Sequence, residues 1–248
     1  MRTFSTKVLR KVKNLSGKVL LFLGSPIRYL IRHELRNELR SLSIALQNKA
    51  TEATASYIEK YMENTDSVSA RLELLTKAMS QSTLKRNSLI CEFGVYSGRS
   101  INHIASSTSL TVYGFDSFEG LPERWRDGLG KGTFKVKSLP KVRSNVTLVK
   151  GWFDKTLEEF IKENINNSLD FMHIDCDLYS STKIVFDILE DRILPGCVIV
   201  FDEYFNYPGW ESGEYKAFQE FIDRTGLNYE YIGYNRNGEQ VAVKIIDG

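Results

Sequence analysis

Acidic side chains close the short apolar runs in the middle of this chain. Glu92 stands in "SLICEFG", Asp116 ends "LTVYGFD", Asp175 and Asp177 end "LDFMHIDCD", and Asp202-Glu203 lie in "GCVIVFDEY". The run "NVTLVKG" differs, ending in Gly151-Trp152. Acids that serve only solvation would scatter over loops at both edges of a fold. Gathered at the carboxyl ends of parallel strands, they face the crevice where open α/β sheets bind ligands. Asp175, Asp202 and Glu203 would then meet at neighbouring strand ends. Three such carboxylates without a cation raise one another's pKa, whereas a hard divalent ion stabilises them together. All-oxygen ligation with waters left over suits Mg²⁺. That ion lowers the pKa of an alcohol, so that a nearby carboxylate can take its proton.

A second kind of chemistry belongs to "CEFGVYSGRS", residues 91–100. Gly94 and Gly98 permit a tight turn and the close approach of a ligand to the backbone. Asp116 lies 22 residues beyond Gly94, where an acid at the second strand's end accepts hydrogen bonds from ribose hydroxyls. An adenosine ligand is implied. The dinucleotide fingerprint would have a glycine where Glu92 stands, and a pyrophosphate would be repelled there. A cationic tail would not. S-adenosylmethionine carries an ammonium and a sulfonium, which an acid in this loop suits directly or through water, and a dehydrogenase is disfavoured on the same ground.

These segments, together with "VYGFDSFEGLPERW", "GWFDKTL" and "HIDCDLYSSTKIVFDIL", resemble class I S-adenosylmethionine-dependent methyltransferases. The resemblance covers roughly residues 85–246 and is greatest to the macrocin O-methyltransferase family, which methylates sugars of macrolide and aminocoumarin antibiotics. It implies a Rossmann-like α/β fold in which Glu92, Gly94 and Gly98 line the methionine end of the cofactor. Asp116 would hold the ribose, Trp152 or its backbone would lie beside the adenine, and Tyr96, Ser117, Gly151 and Phe153 would be further cofactor-binding residues. It also implies a Mg²⁺ site at Asp175, Asp202 and Glu203, with Asp175 as the base. Members of the family carry Asp-Asp where this chain has Asp202-Glu203, so the longer Glu203 bears on metal position and preference. The expected activity is methyl transfer to a hydroxyl of a sugar or glycosylated metabolite. Two alternatives stay open: a catechol or phenol acceptor, and a non-catalytic nucleotide-binding scaffold, against which the intact acids speak.

Other candidates have simpler explanations. Asp177 is either a further ligand or the N-cap of the helix after it. His173 reads as a neutral wall or core histidine and His103 as structural. Trp125, Tyr204, Tyr207 and Trp210 are platforms for a sugar or ordinary loop packing. The glycine-rich loop 117–133 reads as a mobile lid that excludes water.

The elements that position these groups follow from periodicity. Residues 34–82 carry apolar side chains at helical spacing, with Asp66 or Ser67 as the cap of the second helix. From residue 87 short apolar runs alternate with amphipathic stretches, the signature of a mostly parallel sheet covered by helices. The "NRNG" turn between the last two runs makes the final strand antiparallel. The chain thus divides into a helical extension, 1–84, and an α/β domain, 85–248.

The 248 residues, 42% hydrophobic and 26% charged, suffice for a large core. Cys91, Cys176 and Cys197 each lie in or beside an apolar run and form no C-x-x-C pair, which predicts reduced, buried thiols in the cytoplasm. Residues 1–40 carry ten Lys or Arg against Glu34 and Glu38, leaving 23 basic and 29 acidic side chains to the rest. No run in this arm approaches the ~20 apolar residues of a membrane span. A basic arm with interspersed Leu, Ile and Phe either lies peripherally on an anionic inner-membrane surface or packs on a partner subunit of a homo-oligomer. Basic charge confined to the arm, without a recognition motif, argues against nucleic acid.

Overall fold

The runs that end in acids form the centre of an eight-stranded sheet in the computed structural model, which describes residues 41–247 together with Tyr29. The basic arm, with the membrane or subunit contact expected of it, lies outside the described residues. The chain divides into two compact units, residues 1–49 and 50–248. Of the first, the described part beyond Tyr29 is 41–49, where helix α1 (Leu42–Tyr61) begins.

The sheet consists of β1 (Ser67–Val68), β2 (Ser88–Phe93), β3 (Val112–Asp116), β4 (Val146–Lys150), β5 (Ser168–Ile174), β6 (Val198–Phe201), β7 (Asn228–Asn235) and β8 (Val241–Ile246), in the order β1-β7-β8-β6-β5-β2-β3-β4. Every neighbouring pair is parallel except those that β8 makes with β6 and β7. The expected mostly parallel sheet with an antiparallel last strand is therefore what forms. The order turns at β2, with β3 on one side and β5 on the other, so the crevice outside the carboxyl end of β2 is the topological switch point.

Alternation along the central strands assigns the faces. Leu89, Cys91 and Phe93 of β2 join one apolar cluster under α4 (Phe153–Glu163), α5 (Tyr179–Leu189) and α6 (Glu214–Thr225). Ile90 joins the other, under α2 (Arg71–Gln81) and α3 (Arg99–Ser106). Glu92 is in phase with Ile90 and faces α3. His173 of β5 is its direct neighbour in the ladder.

Two expectations change. The compact α/β unit begins at Ala50 rather than at residue 85. Leu74, Leu75, Ala78 and Met79 of α2 are buried in the apolar cluster shared with Val198, Val200 and Ala242, and Ser67–Val68 adds a strand beside β7. Asp66 and Ser67 do not cap α2. Its N-cap is Ala70, and the Glu73 carboxylate reaches back to the Ser69 amide and hydroxyl, both at 2.9 Å. Asp66 accepts from Lys77 instead.

Candidate active site

The loop that leaves β2 is built around one carboxylate. The Asp116 side chain, at the end of β3, accepts from the amides of Val95 at 2.9 Å, Tyr96 at 2.8 Å and Phe118 at 2.6 Å. A carboxylate offers about four acceptor directions, so Asp116 shapes the loop and keeps capacity for a ribose hydroxyl. Gly94 has φ +93°, and a Cβ there would lie 1.8 Å from the carbonyl oxygen of Asp175. No other residue type fits that approach. Gly98, left-handed at φ 79°, is the N-cap of α3. Tyr96 and Asp177 also have positive φ, at 45° and 65°; strained backbone of this kind gathers at binding sites.

A cavity of about 750 Å³ opens over this loop. Gly94, Tyr96, Asp116, Ser117, Gly151, Trp152 and Phe153 line one part of it, and Asp175, Asp177, Asp202 and Glu203 line another. The expected cofactor residues and the expected acids are thus brought to a single space, with two exceptions. Gly98 turns the chain without lining the cavity. Glu92 is fully buried and does not line it either. Because Glu92 points to the α3 face of the sheet, its carboxylate accepts from the Ser100 hydroxyl and stands 3.2 Å from His173 Nδ1. Ser100 is the group that meets the cavity in its place.

His173 is the second correction. Its Nε2 lies 3.8 Å from Asp202, so the ring is held between two acids. His173 is a core histidine as expected, but not an electrostatically indifferent one: burial pulls its pKa down, and Asp202 and Glu92 outweigh that and raise it to about 9. Asp177 is not a helix cap: the N-cap of α5 is Leu178. Burial, followed by the charge of Asp202, pushes the Asp177 carboxyl up to about 7. Tyr204, Tyr207 and Trp210 are buried packing groups, and of the four aromatic candidates Trp125 lines the cavity. His103 accepts or donates with the Thr76 hydroxyl at 2.8 Å, and the three cysteines are free and buried.

The acids offer a metal an all-oxygen set of donors. Oxygen atoms of Asp175, Asp202 and Glu203 lie within 4.8 Å of one another. Glu203 Oε2 is buried without a hydrogen-bond partner. Burial first, then the charges of Asp202 and Glu214, raises the Glu203 pKa well above the carboxylate range. Asp175 is likewise raised, by burial and then by Asp202. Burial also disfavours the Asp202 anion, yet His173 and Arg71 bring its pKa below the usual value. An all-oxygen set with an unsatisfied carboxylate suits a hard divalent ion, and the donors fit Mg²⁺. A neighbouring combination, Glu92, His173 and Asp175, shares Asp175, but its other two members are sealed from the cavity.

Residues that sequence reasoning passed over complete the site. Arg71, the first residue of α2, forms ion pairs with Asp175 and Asp202. Glu214, at the start of α6, is fully buried and accepts from the Glu203 amide at 3.2 Å. Arg126, in the loop after β3, stacks between Trp125 and Tyr207, 3.7 and 4.0 Å from their ring centres, and pairs with Glu239 at 2.7 Å. None has a periodic signal. Each reaches the site by tertiary packing from an element start or a loop.

Comparison with known proteins accords with this geometry. Residues 91–204 match the family model described as a methyltransferase domain. The fold resembles that of calicheamicin methyltransferase CalS11, with 21% identity over 90% of this chain and 94% of that one and a TM-score of 0.54. It also resembles the O-methyltransferase NovP, with 20% identity over 72% of this chain and 80% of that one and a TM-score of 0.52. No curated protein sequence matches the chain.

Proposed function

We propose that this chain, whose residues 91–204 match the methyltransferase-domain model and whose fold resembles that of a methyltransferase, moves a methyl group from S-adenosylmethionine to a hydroxyl of a sugar or glycosylated metabolite. A divalent cation, Mg²⁺ by its donor set, belongs to the same proposal. The observation that carries the reading is the shared cavity: the Asp116 loop and the acids Asp175, Asp202 and Glu203 line one continuous space. The similar folds of a protein named as a calicheamicin methyltransferase and of one named as an O-methyltransferase support a hydroxyl as the acceptor.

In this reading Asp116 accepts from the ribose, Trp152 and Phe153 flank the adenine, and Gly94 lets the methionine end approach the backbone. Asp175, Asp202 and Glu203 would hold the cation, which supplies Lewis acidity that lowers the pKa of an acceptor hydroxyl. The acceptor O–H bond breaks with its proton passing to Asp175 and the oxygen attacks the methyl carbon. The carbon–sulfur bond then breaks with its electron pair left on sulfur. Rate arises mainly from holding two substrates in line. Trp125 and the loop around it cover the acceptor end and exclude water.

Titration calorimetry tests the donor site: S-adenosylmethionine binds, and Asp116→Ala weakens it by about tenfold or more, whereas binding of NADH instead would refute the reading. Asp175→Asn is expected to keep donor affinity and lose turnover. Chelation with EDTA is expected to stop methyl transfer and added Mg²⁺ to restore it; full activity in chelator removes the metal from the proposal. The basic arm is assigned to an anionic surface or a partner subunit. Loss of residues 1–40 lowers sedimentation with anionic liposomes in the first case and leaves it unchanged in the second. Among the described residues no helix is long and apolar enough to cross a membrane.

A further inference from the structure

We propose that Arg71 is an internal competitor for the divalent cation: its guanidinium occupies the Asp175–Asp202 side of the acid cluster, and metal and guanidinium hold those carboxylates in mutually exclusive states. The inference rests on the metal reading above and adds to it a residue from outside the sheet.

The geometry makes the exclusion direct. Arg71 pairs with Asp175 through Nη2 and with Asp202 through Nε, the latter 2.7 Å from Oδ1. Those carboxylates, with Glu203, are the donors that come within 4.8 Å of one another. A hard cation needs metal–oxygen distances of about 2.0–2.6 Å, so an ion bound through Asp175 Oδ2 and Asp202 Oδ1 would compete for the same two atoms that the guanidinium holds. The guanidinium must leave before the ion enters.

Two further observations indicate that Arg71 is poised to leave. Its Nε contact with Asp202 is close but misaligned: Arg71 Nε and Asp202 Oδ1 both lack a hydrogen-bond partner. The attraction to Asp202 is therefore ionic, and Arg71 keeps one hydrogen bond, from Nη2 to Asp175, rather than the directional bidentate fork that makes arginine pairs strong. Also, the Arg71 side chain is 37% exposed, and it lines the cavity, so the guanidinium has solvent-filled space to enter. A buried lysine or arginine with no such outlet would be fixed.

Arg71 also leaves the cluster incompletely neutralised. Glu203 is 7% exposed, and its Oε2 is buried and unpartnered; Oε1 of Glu214, a fully buried residue, is unpartnered too. The ion pairs of Arg71 go to Asp175 and Asp202 and its charge acts on Glu203 from farther off, whereas a divalent ion between Asp175, Asp202 and Glu203 would satisfy Glu203 directly. Arg71 thus keeps the apo cluster folded at the expense of metal affinity. Removing the arginine returns that affinity.

The test is Mn²⁺ binding to the full-length chain, followed by calorimetry without either substrate. Arg71→Met is expected to bind Mn²⁺ at least about tenfold more tightly than the wild type. Arg71→Lys, which keeps the charge on a compact ammonium that cannot bridge both carboxylates, is expected to fall between them. It also serves if the methionine variant does not fold. Millimolar guanidinium chloride, added to Arg71→Met, is expected to weaken Mn²⁺ binding again by refilling the vacated position, at concentrations that leave the circular dichroism unchanged. Equal affinity in all three proteins overturns the exclusion and leaves the metal site standing. No Mn²⁺ binding in any of them overturns the metal reading, and the exclusion with it. Weaker binding in Arg71→Met than in the wild type also overturns the exclusion, since it would make Arg71 a support of the site.

Discussion

Glycine at position 94 is fixed by a neighbour from a different strand. The carbonyl of Asp175 lies 1.8 Å from where a Cβ would stand, and the backbone has φ +93°. Steric overlap and left-handed strain act together, so Gly94→Ala is expected to cost at least about 2 kcal/mol and to displace Asp175. A lower urea midpoint with an unchanged m-value, accompanied by loss of donor binding, is the expected result; wild-type stability would refute it. Asp116 illustrates how far single residues were legible. Its place at a strand end and its distance from Gly94 marked it in the sequence, and it lines the cavity as expected. The same reasoning placed Glu92 against the cofactor, because spacing does not tell which face of the strand the acid takes. Phase with Ile90 turns Glu92 under α3, where Ser100 and His173 surround it. Arg71 and Glu214 were illegible for a different reason: they belong to helix starts, Arg71 104 residues from Asp175 and Glu214 11 residues from Glu203, and neither helix's periodicity says that its first residue meets the acids.

At the scale of elements, the loop after β3 reads in sequence as a free lid, but the folded chain ties it down. The Leu121 amide donates to the Thr133 carbonyl at 2.8 Å, and the Gly132 amide donates back to the Leu121 carbonyl at 2.8 Å. Glu123 accepts from Ser180 at 2.6 Å. Arg126 spans from Trp125 to Tyr207 and pairs with Glu239 on the β7–β8 turn. The guanidinium joins the loop to Tyr207 and to the β7–β8 turn, and cation–π contacts of this kind are worth about 0.5–2 kcal/mol each. Arg126→Ala is therefore expected to speed amide exchange through 118–135 by about tenfold while leaving β2, β5 and β6 unchanged. KM for the acceptor should rise more than KM for the donor, because Trp125 loses its cover. Uniform exchange across the loop in both proteins would show that the backbone contacts alone suffice. The glycines in the loop were visible in the sequence; the anchors are long-range and were not.

For the molecule as a whole, the alternation of apolar runs and amphipathic stretches after residue 87 revealed the parallel sheet and its antiparallel last strand. It could not reveal that the segment before it belongs to the same unit. Ser67–Val68 is too short to show alternation, and helical spacing in α2 does not say what the helix covers. The fold gives the answer in buried side chains. Leu74 and Leu75 are fully enclosed in the cluster with Val198, Val200 and Ala242, and the Tyr57 hydroxyl is bonded to that of Tyr231 on the opposite face. Each such leucine stabilises by about 1.5–3 kcal/mol, a large share of the roughly 5–15 kcal/mol that holds a domain together. Arg71 comes from the same segment, so its loss would also leave Asp175 and Asp202 without their cation. A chain shortened to residues 50–248 is accordingly expected to unfold in one cooperative urea transition. A chain shortened to 85–248, the α/β runs alone, is expected to show no such transition and to expose surface that binds ANS. Cooperative unfolding of the shorter fragment with wild-type stability would mean that α2 is an appendage and that the strands after residue 87 form a complete domain without it.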